Sequence, residues 1–146
     1  MGDDGKKTLF NLIVNMLALM LVPYLVSGVY IGNIGSAFAG LCQGLGAWTI
    51  GLKRTVHGPV EGFDQVYPLD ALDSLLPKAD VVALTLPHSP QTAGLMDRSR
   101  IALMKDDAIL ISAGRGSVLD QEALAQAMTG GKLWGAALDV TDPEPL

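Results

Sequence analysis

Short apolar runs alternate along most of this chain with longer segments in which apolar residues recur at helical spacing. The runs have strand length and end at glycine, proline or polar positions, which predicts β-strands over residues 28–31, 47–52, 80–86, 108–111 and 133–140. Between them the spacing predicts helices over residues 34–45, 69–76, 97–103 and 120–130. Because the strands are apolar on both faces, we expect a doubly wound α/β fold of the Rossmann type, with helices covering both faces of a parallel sheet.

Single residues predict where several of these elements begin and end. Asp97 and Asp120 are expected to cap the N-termini of the helices that follow them. Gly46 and the pair Gly130 and Gly131 are expected to end two helices, because glycine readily adopts left-handed conformations. A polar loop is predicted after residue 52, where the chain contains Gly58, Pro59 and Gly62.

Charged residues are missing from a long stretch near the start of the chain. No Asp, Glu, Lys or Arg occurs from Thr8 to Leu52, and residues 9–31 are mostly aliphatic. By length and hydropathy this stretch is compatible with a membrane span, or with a signal peptide behind Lys6 and Lys7. A span would remove the predicted strand at 28–31 from the sheet. We therefore expect a buried helix followed by a buried strand, and no membrane association.

Composition narrows the class of protein. The chain has 146 residues, is 49% hydrophobic and has a formal net charge of −5. These values exclude an intrinsically disordered chain and argue against a nucleic-acid partner. The single cysteine, Cys42, excludes an internal disulfide and a cysteine zinc site. We expect no metal site and a reducing, cytoplasmic location.

A glycine-containing turn opens the first predicted helix directly after the first predicted strand. This turn is Gly32-Asn33-Ile34-Gly35, and its two glycines correspond to two of the three glycines of a dinucleotide-binding turn. Tyr30 stands where the first glycine is usually found. In such sites the backbone N–H groups of the first helical turn bind a pyrophosphate. An ordinary turn between a strand and a helix would explain this motif equally well.

The second predicted strand ends in Lys53, Arg54 and Thr55. Dinucleotide-binding folds usually place an acidic residue here, which binds the ribose hydroxyl of NAD. Two cations and a hydroxyl are better suited to a ribose 2′-phosphate, so these residues favour NADP over NAD. A solvated strand end is the alternative explanation.

Arg115 lies between Gly114 and Gly116 just after the fourth predicted strand. Open α/β sheets bind ligands at this carboxyl edge, and a guanidinium there is suited to a carboxylate. Asp139 ends the next strand, and Glu144 follows five residues later. One pocket could therefore hold an arginine and two acids. The alternative is an ordinary turn followed by a solvated tail.

These segments occur in the order found in one known family. They comprise the turn at 32–35, Leu86-Pro87 with Thr92-Ala93-Gly94-Leu95, Ala113-Gly114-Arg115-Gly116, and Ala136-Ala137-Leu138-Asp139-Val140 with Glu144-Pro145-Leu146. Over residues 28–146 the chain resembles the NAD(P)-binding domain of the D-isomer-specific 2-hydroxyacid dehydrogenases. Within residues 1–27, the run from Met16 to Val22 is similar to the apolar helix that precedes this domain. The resemblance implies hydride transfer between a nicotinamide and C2 of a 2-hydroxy or 2-oxo acid.

The resemblance also implies the cofactor contacts. The backbone of Asn33 and Ile34 would hold the pyrophosphate, and Lys53, Arg54 and Thr55 would face the adenosine ribose or its phosphate. The remaining implied contacts follow the later strands: Leu86 and Pro87 on the adenosine side, Ala113 and Gly114 beside the nicotinamide, and Asp139 at its carboxamide.

The catalytic roles implied by the resemblance fall on Arg115 and Glu144. Arg115 would bind the substrate carboxylate, and Glu144 would hydrogen-bond the catalytic histidine and stabilise its protonated form. That histidine lies beyond the acid-proline-leucine segment in the family, and His57 and His88 match no part of its motif. We therefore expect an incomplete enzyme with little activity alone. Separately, the apolar N-terminal helix is expected to form a homo-oligomer.

Two other functions stay open from the sequence. A non-catalytic NAD(P)-binding module or sensor would use the same glycine turn and strand ends without turnover. A membrane-tethered protein would place residues 9–31 in a bilayer. Saturable NAD(P)H binding without turnover would favour the first of these functions, and recovery only in detergent would indicate the second.

Overall fold

The fold is taken from a computed structural model, which describes residues 34–56 and 58–143. Its helices and strands alternate in the order α1 Ile34–Gly44, β1 Ile50–Lys53, β2 Gln65–Pro68, α2 Leu72–Leu75, β3 Val81–Leu84, α3 Arg98–Leu103, β4 Ala108–Ser112, α4 Gln121–Thr129 and β5 Leu133–Leu138. Turns of 3-10 helix flank α2 at Leu69–Ala71 and Leu76–Lys78, and another follows β4 at Gly116–Val118. The predicted helix within 1–27 and the predicted strand at 28–31 lie outside the described residues.

The described strands form two parallel sheets. β1 pairs with β2 in one sheet, and the other has the order β3-β4-β5. No strand among the described residues joins the two sheets. The predicted α/β class with parallel pairing is confirmed.

β4 forms the centre of the core because both of its faces are covered. All five of its residues are buried. Leu110 belongs to a large apolar cluster that includes Ile101 of α3 and Leu124 of α4. Ile109 and Ile111 belong to a second cluster with Phe38 of α1. The three-stranded sheet therefore carries helices on both faces, because alternate residues of a strand point to opposite sides.

α1 packs on this sheet through one face and ends as its sequence predicts. Phe38 is buried, and the half-buried Cys42 lies against the second cluster, where burial raises the pKa of its thiol. At the end of the helix the N–H of Gly46 donates to the carbonyl of Gln43 at 2.8 Å, and the N–H of Ala47 donates to that of Cys42 at 3.0 Å. Gly46 has a φ of 81°, so the helix ends in a Schellman motif.

The region after β1 differs from the expected polar loop. It contains β2, whose four residues are all exposed or half-buried and show no apolar run. Just before it, the Asp64 carboxylate accepts bonds from the backbone N–H and the hydroxyl of Thr49, at 2.7 and 2.9 Å. The bond from this N–H is the main cause that lowers the pKa of Asp64. These hydrogen bonds between Thr49 and Asp64 are here called the polar anchor. β2 is thus held by pairing with β1 and by the polar anchor, and hydrophobic periodicity detects neither of them.

The helix predicted over residues 69–76 is also corrected. This segment is one turn of α-helix between two 3-10 turns. Leu72 and Leu76 are its buried residues, so the helical spacing correctly marks which side faces the core. Pro77 falls in the second 3-10 turn, where it prevents continuation of the helix because it has no N–H.

Both predicted helix caps are confirmed. The Asp97 carboxylate accepts a bond from the N–H of Arg100, and the Asp120 carboxylate accepts one from the N–H of Ala123, each at 2.9 Å. α4 ends just before the predicted glycine pair, in which Gly131 has a φ of 71°. In the part of the chain that the structure describes, no helix has the length and apolarity needed to cross a membrane.

Candidate functional site

The carboxyl ends of β3, β4 and β5 lie together at one edge of the three-stranded sheet. The strands are parallel, and Ser112 pairs with both Leu84 and Leu138. The chain therefore leaves this edge in three neighbouring loops. These loops carry the candidate residues Leu86, Pro87, Ala113, Gly114, Arg115 and Asp139, so the structure brings together these members of the predicted site.

The loops after β3 and β4 are in backbone contact. The N–H of Ala113 donates to the carbonyl of Leu84 at 2.9 Å. A Cβ at Gly114 would lie 2.6 Å from the carbonyl oxygen of Leu86. Only glycine permits this approach without moving one of the two loops. Gly114 thus has a packing role, in addition to the cofactor contact that the resemblance implies.

The loop after β5 is fixed in the same way. The N–H of Asp139 donates to the carbonyl of Ser112 at 2.9 Å. A Cβ at Gly116 would lie 2.6 Å from the carbonyl carbon of Thr141. Gly116 therefore sits directly against the backbone of the next loop. Asp139 itself is exposed at the strand end.

Arg115 is held between these two close contacts. Its backbone is extended, with φ −98° and ψ 141°, and the residue is exposed. It forms no ion pair with another described residue. The ion pairs that the structure describes join other side chains: Arg100 with Asp73, Lys105 with Asp80, and Lys132 with Asp106. The backbone around Arg115 is thus fixed while its guanidinium stays available to an anion.

Thr92 shapes the loop after β3. It is buried, its hydroxyl donates to the carbonyl of Pro87 at 2.7 Å, and it accepts a bond from the N–H of Ser89 at 2.9 Å. The N–H of Gly94 then donates to the carbonyl of Ser117 at 2.8 Å. This loop is therefore closed on itself and joined to the turn that follows Arg115.

A second link between these loops joins two side chains. His88 Nδ1 lies 2.8 Å from Ser117 Oγ. His88 matches no part of the family's histidine motif, and no role is predicted for Ser117 from the sequence. The spacing of Ser89 and Thr92 is a local signal of a side-chain-supported turn. No such signal could identify the pair of His88 and Ser117, which are 29 residues apart.

The other candidate residues are not brought to this edge by the described structure. Lys53 is half-buried and Arg54 and Thr55 are exposed, at the carboxyl end of β1 in the two-stranded sheet. Neither cation forms an ion pair with a described residue. α1 begins at Ile34, with the half-buried Gly35 in its first turn. Gly32, Asn33 and Glu144 lie outside the described residues.

Comparison with known proteins agrees with this arrangement of strands and loops. The family model described as the NAD binding domain of D-isomer specific 2-hydroxyacid dehydrogenase matches residues 26–146. D-3-phosphoglycerate dehydrogenase of Haemophilus influenzae is 43% identical over 114 residues, which are 78% of this chain and 27% of that protein. The Mycobacterium bovis protein of the same name is 38% identical over 120 residues, or 82% of this chain and 22% of that protein.

Solved structures show the same similarity. A D-isomer specific 2-hydroxyacid dehydrogenase from Xanthobacter autotrophicus Py2, in complex with NADPH and MES, has a TM-score of 0.72 at 35% identity and covers 80% of this chain and 37% of its own. The NAD-complexed enzyme of the same family from Lactobacillus delbrueckii ssp. bulgaricus has a TM-score of 0.67 at 33% identity, over 77% of this chain and 34% of its own. This chain spans well under half the length of each of these relatives. It belongs to the NAD-binding domain family of the D-isomer specific 2-hydroxyacid dehydrogenases.

Proposed function

We propose that the chain is the nucleotide-binding part of an NAD(P)-dependent oxidoreductase that interconverts 2-hydroxy and 2-oxo acids. The observation that carries this proposal is the placement of Arg115. It is exposed at the carboxyl edge of the sheet between two glycines pressed against neighbouring backbone. A guanidinium offers paired N–H donors that match a carboxylate. Binding the substrate carboxylate there would orient C2 of the acid.

The described residues are compatible with a bound dinucleotide. The first turn of α1 contains no acidic residue, so no carboxylate in that turn opposes a pyrophosphate at its free N–H groups. The glycines beside Arg115 remove side chains where the loops meet. Leu86 and Ala113 are half-buried apolar residues next to that edge, and apolar surface of this kind suits a nucleotide ring.

Lys53 and Arg54 are proposed to favour NADPH over NADH. Lys53 ends β1 and Arg54 follows it, and neither forms an ion pair with a described residue. A 2′-phosphate would provide the anion that these cations lack there. The Xanthobacter relative with NADPH supports this choice, although the Lactobacillus relative contains NAD. The preference therefore rests on the charges of this chain.

The chain and its cofactor have separate tasks in the proposed reaction. When bound, the cofactor supplies the hydride that adds to C2 of the 2-oxo acid. Arg115 holds the carboxylate, and the C2 oxygen takes a proton to give the 2-hydroxy acid. Glu144, outside the described residues, is proposed to stabilise the protonated histidine that donates this proton in the family.

A cofactor titration tests the nucleotide preference. Addition of NADPH should change the fluorescence of Trp48 and Trp134 in a saturable way. Arg54→Gln should weaken NADPH binding about fivefold, since a charged hydrogen bond at an exposed site contributes about 1 kcal/mol, and should leave NADH binding nearly unchanged. Lys78→Gln removes an exposed cation from a 3-10 turn and should affect neither. Absence of saturable binding would contradict the proposal.

Turnover tests the role of Arg115. NADPH oxidation is measured with glyoxylate and with hydroxypyruvate, for the chain and for Arg115→Ala. Any activity should be lost in Arg115→Ala and retained in Arg98→Ala, because Arg98 contacts Gln126 instead. Robust activity in Arg115→Ala would contradict the proposed role of Arg115 in binding the substrate carboxylate. Saturable binding without turnover would favour the non-catalytic nucleotide-binding module.

A further inference from the structure

We infer that His88 is a positioning residue for Arg115. Through a hydrogen bond to Ser117 it holds the turn that follows Arg115, and it thereby raises the affinity of this site for a carboxylate. His88 belongs to the loop after β3, and Ser117 to the 3-10 turn Gly116–Val118. The inference rests on the proposed function, because it adds His88 to the anion site that Arg115 is proposed to form.

The short span from Gly114 to Ser117 is attached to the loop after β3 at both of its ends. At one end, a Cβ on Gly114 would lie 2.6 Å from the carbonyl oxygen of Leu86, so the two backbones are in close contact. At the other end, Ser117 Oγ lies 2.8 Å from His88 Nδ1. Arg115 therefore lies between two attachments to the same neighbouring loop, of which the second is a hydrogen bond between side chains.

Backbone hydrogen bonds attach the same turn to the far end of that loop. The N–H of Gly94 donates to the carbonyl of Ser117 at 2.8 Å, and the N–H of Met96 donates to that of Val118 at 2.9 Å. The bond with His88 reaches Ser117 from the near end of the loop, close to β3. Without it, Ser117 would keep its backbone attachment on one side only, and the turn would gain freedom to move.

The loop after β3 presents His88 in a fixed position. The hydroxyl of the buried Thr92 donates to the carbonyl of Pro87 at 2.7 Å and accepts a bond from the N–H of Ser89 at 2.9 Å. The residues on both sides of His88 are thus tied to one buried side chain. A side chain on a restrained loop loses less conformational entropy when it forms a further bond, so the bond can act on the turn.

The pair of His88 and Ser117 is not part of the core. His88 is exposed and Ser117 is half-buried, so the pair buries little apolar surface. The hydroxyl can donate to a neutral Nδ1 or accept from a protonated one, so the bond can form in either protonation state of the imidazole. We therefore expect its removal to change the anion site more than the stability of the fold.

Carboxylate affinity, measured separately from cofactor affinity, tests the inference. The full chain is saturated with NADP⁺, which has no hydride to transfer, and glyoxylate is titrated while NMR follows the amide signals of Gly114 and Gly116. His88→Ala and Ser117→Ala should each weaken glyoxylate binding about fivefold, because the effect is limited by the net contribution of one hydrogen bond. The affinity for NADP⁺ should change much less.

Further variants separate positioning from a general effect on the loop. His88→Asn keeps a polar atom bonded to Cγ, as Nδ1 is, and should restore most of the glyoxylate affinity. His88→Ala combined with Ser117→Ala should lose no more than either change alone. In the Arg115→Ala background, His88→Ala should have no further effect. Gln91→Ala, an exposed residue of the same loop, should bind glyoxylate as the unaltered chain does.

Hydrogen exchange measures the turn itself without any ligand. The N–H of Val118 donates to the carbonyl of Arg115 at 3.0 Å, so its exchange reports how often the turn opens. His88→Ala should speed this exchange about fivefold. The amide of Ala123, which donates to the cap residue Asp120, should exchange at an unchanged rate. An unchanged rate at Val118 would overturn the inference.

The binding results distinguish failure of the inference from failure of the proposed function. Normal glyoxylate affinity in His88→Ala, with a clear loss in Arg115→Ala, would overturn the inference alone. Equal losses of glyoxylate and NADP⁺ affinity in His88→Ala, or a similar loss in Gln91→Ala, would show a general structural role and would also overturn it. Glyoxylate that does not bind the full chain, or that binds Arg115→Ala equally well, would contradict the proposed function together with this inference.

Discussion

The three-stranded region, residues 80–143, and the two-stranded region, residues 34–68, are built very differently. β4 is buried along its full length, whereas β1 has one buried residue among four and β2 has none. The ion pairs between described residues all have their cation in the three-stranded region. Most of the exposed large hydrophobic side chains among the described residues, including Leu41, Leu45 and Trp48, lie in the two-stranded region. The first region therefore supplies most of the core, and the second exposes much of its apolar surface.

This difference has a functional meaning. Arg115 stands on loops joined through their backbones at Gly114 and Gly116, so the carboxylate-binding side of the proposed site is rigid before any ligand arrives. Lys53 and Arg54 lie at the carboxyl end of a short strand in a separate sheet. We expect that adenosine side to be the more adaptable part. Ligand sites commonly combine a preorganised part with one that adjusts.

The largest effect is expected from the core of the three-stranded region. Leu110→Ala removes a side chain with no exposed surface and should lower the free energy of unfolding by about 2–5 kcal/mol. Leu52→Ala in β1 removes a half-buried side chain and should cost about 1 kcal/mol. Urea denaturation measures both, with the exposed Leu103→Ala as control. Equal losses for Leu110 and Leu52 would contradict the contrast between the regions.

Two glycine substitutions should change the stability of the protein in opposite directions. A Cβ at Gly116 meets the backbone of Thr141, so Gly116→Ala should destabilise the protein by about 1–3 kcal/mol. Gly44 is the last residue of α1 and has open space around it, so Gly44→Ala should stabilise by up to about 1 kcal/mol. Thermal denaturation distinguishes the two. A neutral Gly116→Ala would show that the loops after β4 and β5 separate easily.

A helix cap gives a smaller test of the three-stranded region. Asp120→Ala removes the acceptor for the N–H of Ala123 and should cost about 1 kcal/mol, or about 2–4 °C in Tm. Asp120→Asn keeps a cap acceptor and should lose much less. If both variants have the same Tm, the cap contributes nothing measurable to stability.

The smallest expected effect is on how steeply the free energy of unfolding falls at acidic pH. Hydrogen bonds lower the pKa of carboxyls in both regions. We compare Asp64, where the main cause is the N–H of Thr49, with Asp97, where it is the hydroxyl of Ser99. Both groups bind protons more weakly in the folded than in the unfolded chain. Their stabilisation is therefore present above the unfolded pKa and is lost as the pH falls through the lower folded value.

NMR titration of the two carboxyl groups measures this directly. Both should titrate below the range of an ordinary aspartate, and Asp64→Asn or Asp97→Asn should each flatten the fall in stability below about pH 4. Asp70, an exposed carboxyl in the turn before α2, provides the control substitution. An ordinary pKa for Asp64 would mean that the polar anchor before β2 does not form in solution.

Local signals explain which parts of the fold could be predicted. The strands of the three-stranded region are apolar on both faces, and Asp97 and Asp120 mark the helices that follow them. β2 could not be predicted, because Gln65–Pro68 has no apolar run and is held by pairing with β1 and by Asp64. The short helix at Leu72 follows from tertiary burial of two leucines rather than from a long periodic segment.

The candidate site was predictable where chain order determines position. Residues that directly follow parallel strands must share an edge, which places Arg115 near Asp139 and Pro87. Contacts between the loops could not be predicted in this way. The approach of Gly116 to Thr141, and the pairing of His88 with Ser117, depend on packing between segments far apart in sequence.

The position of Cys42 gives the molecule an internal reporter. Its thiol is half-buried on the sheet side of α1, beside Ile109 and Ile111, and burial raises its pKa. A thiol reacts with alkylating reagents as the thiolate, so its packing on the sheet should slow the labelling of this single cysteine. An increase in the labelling rate under mildly destabilising conditions would then report movement of α1 away from the sheet.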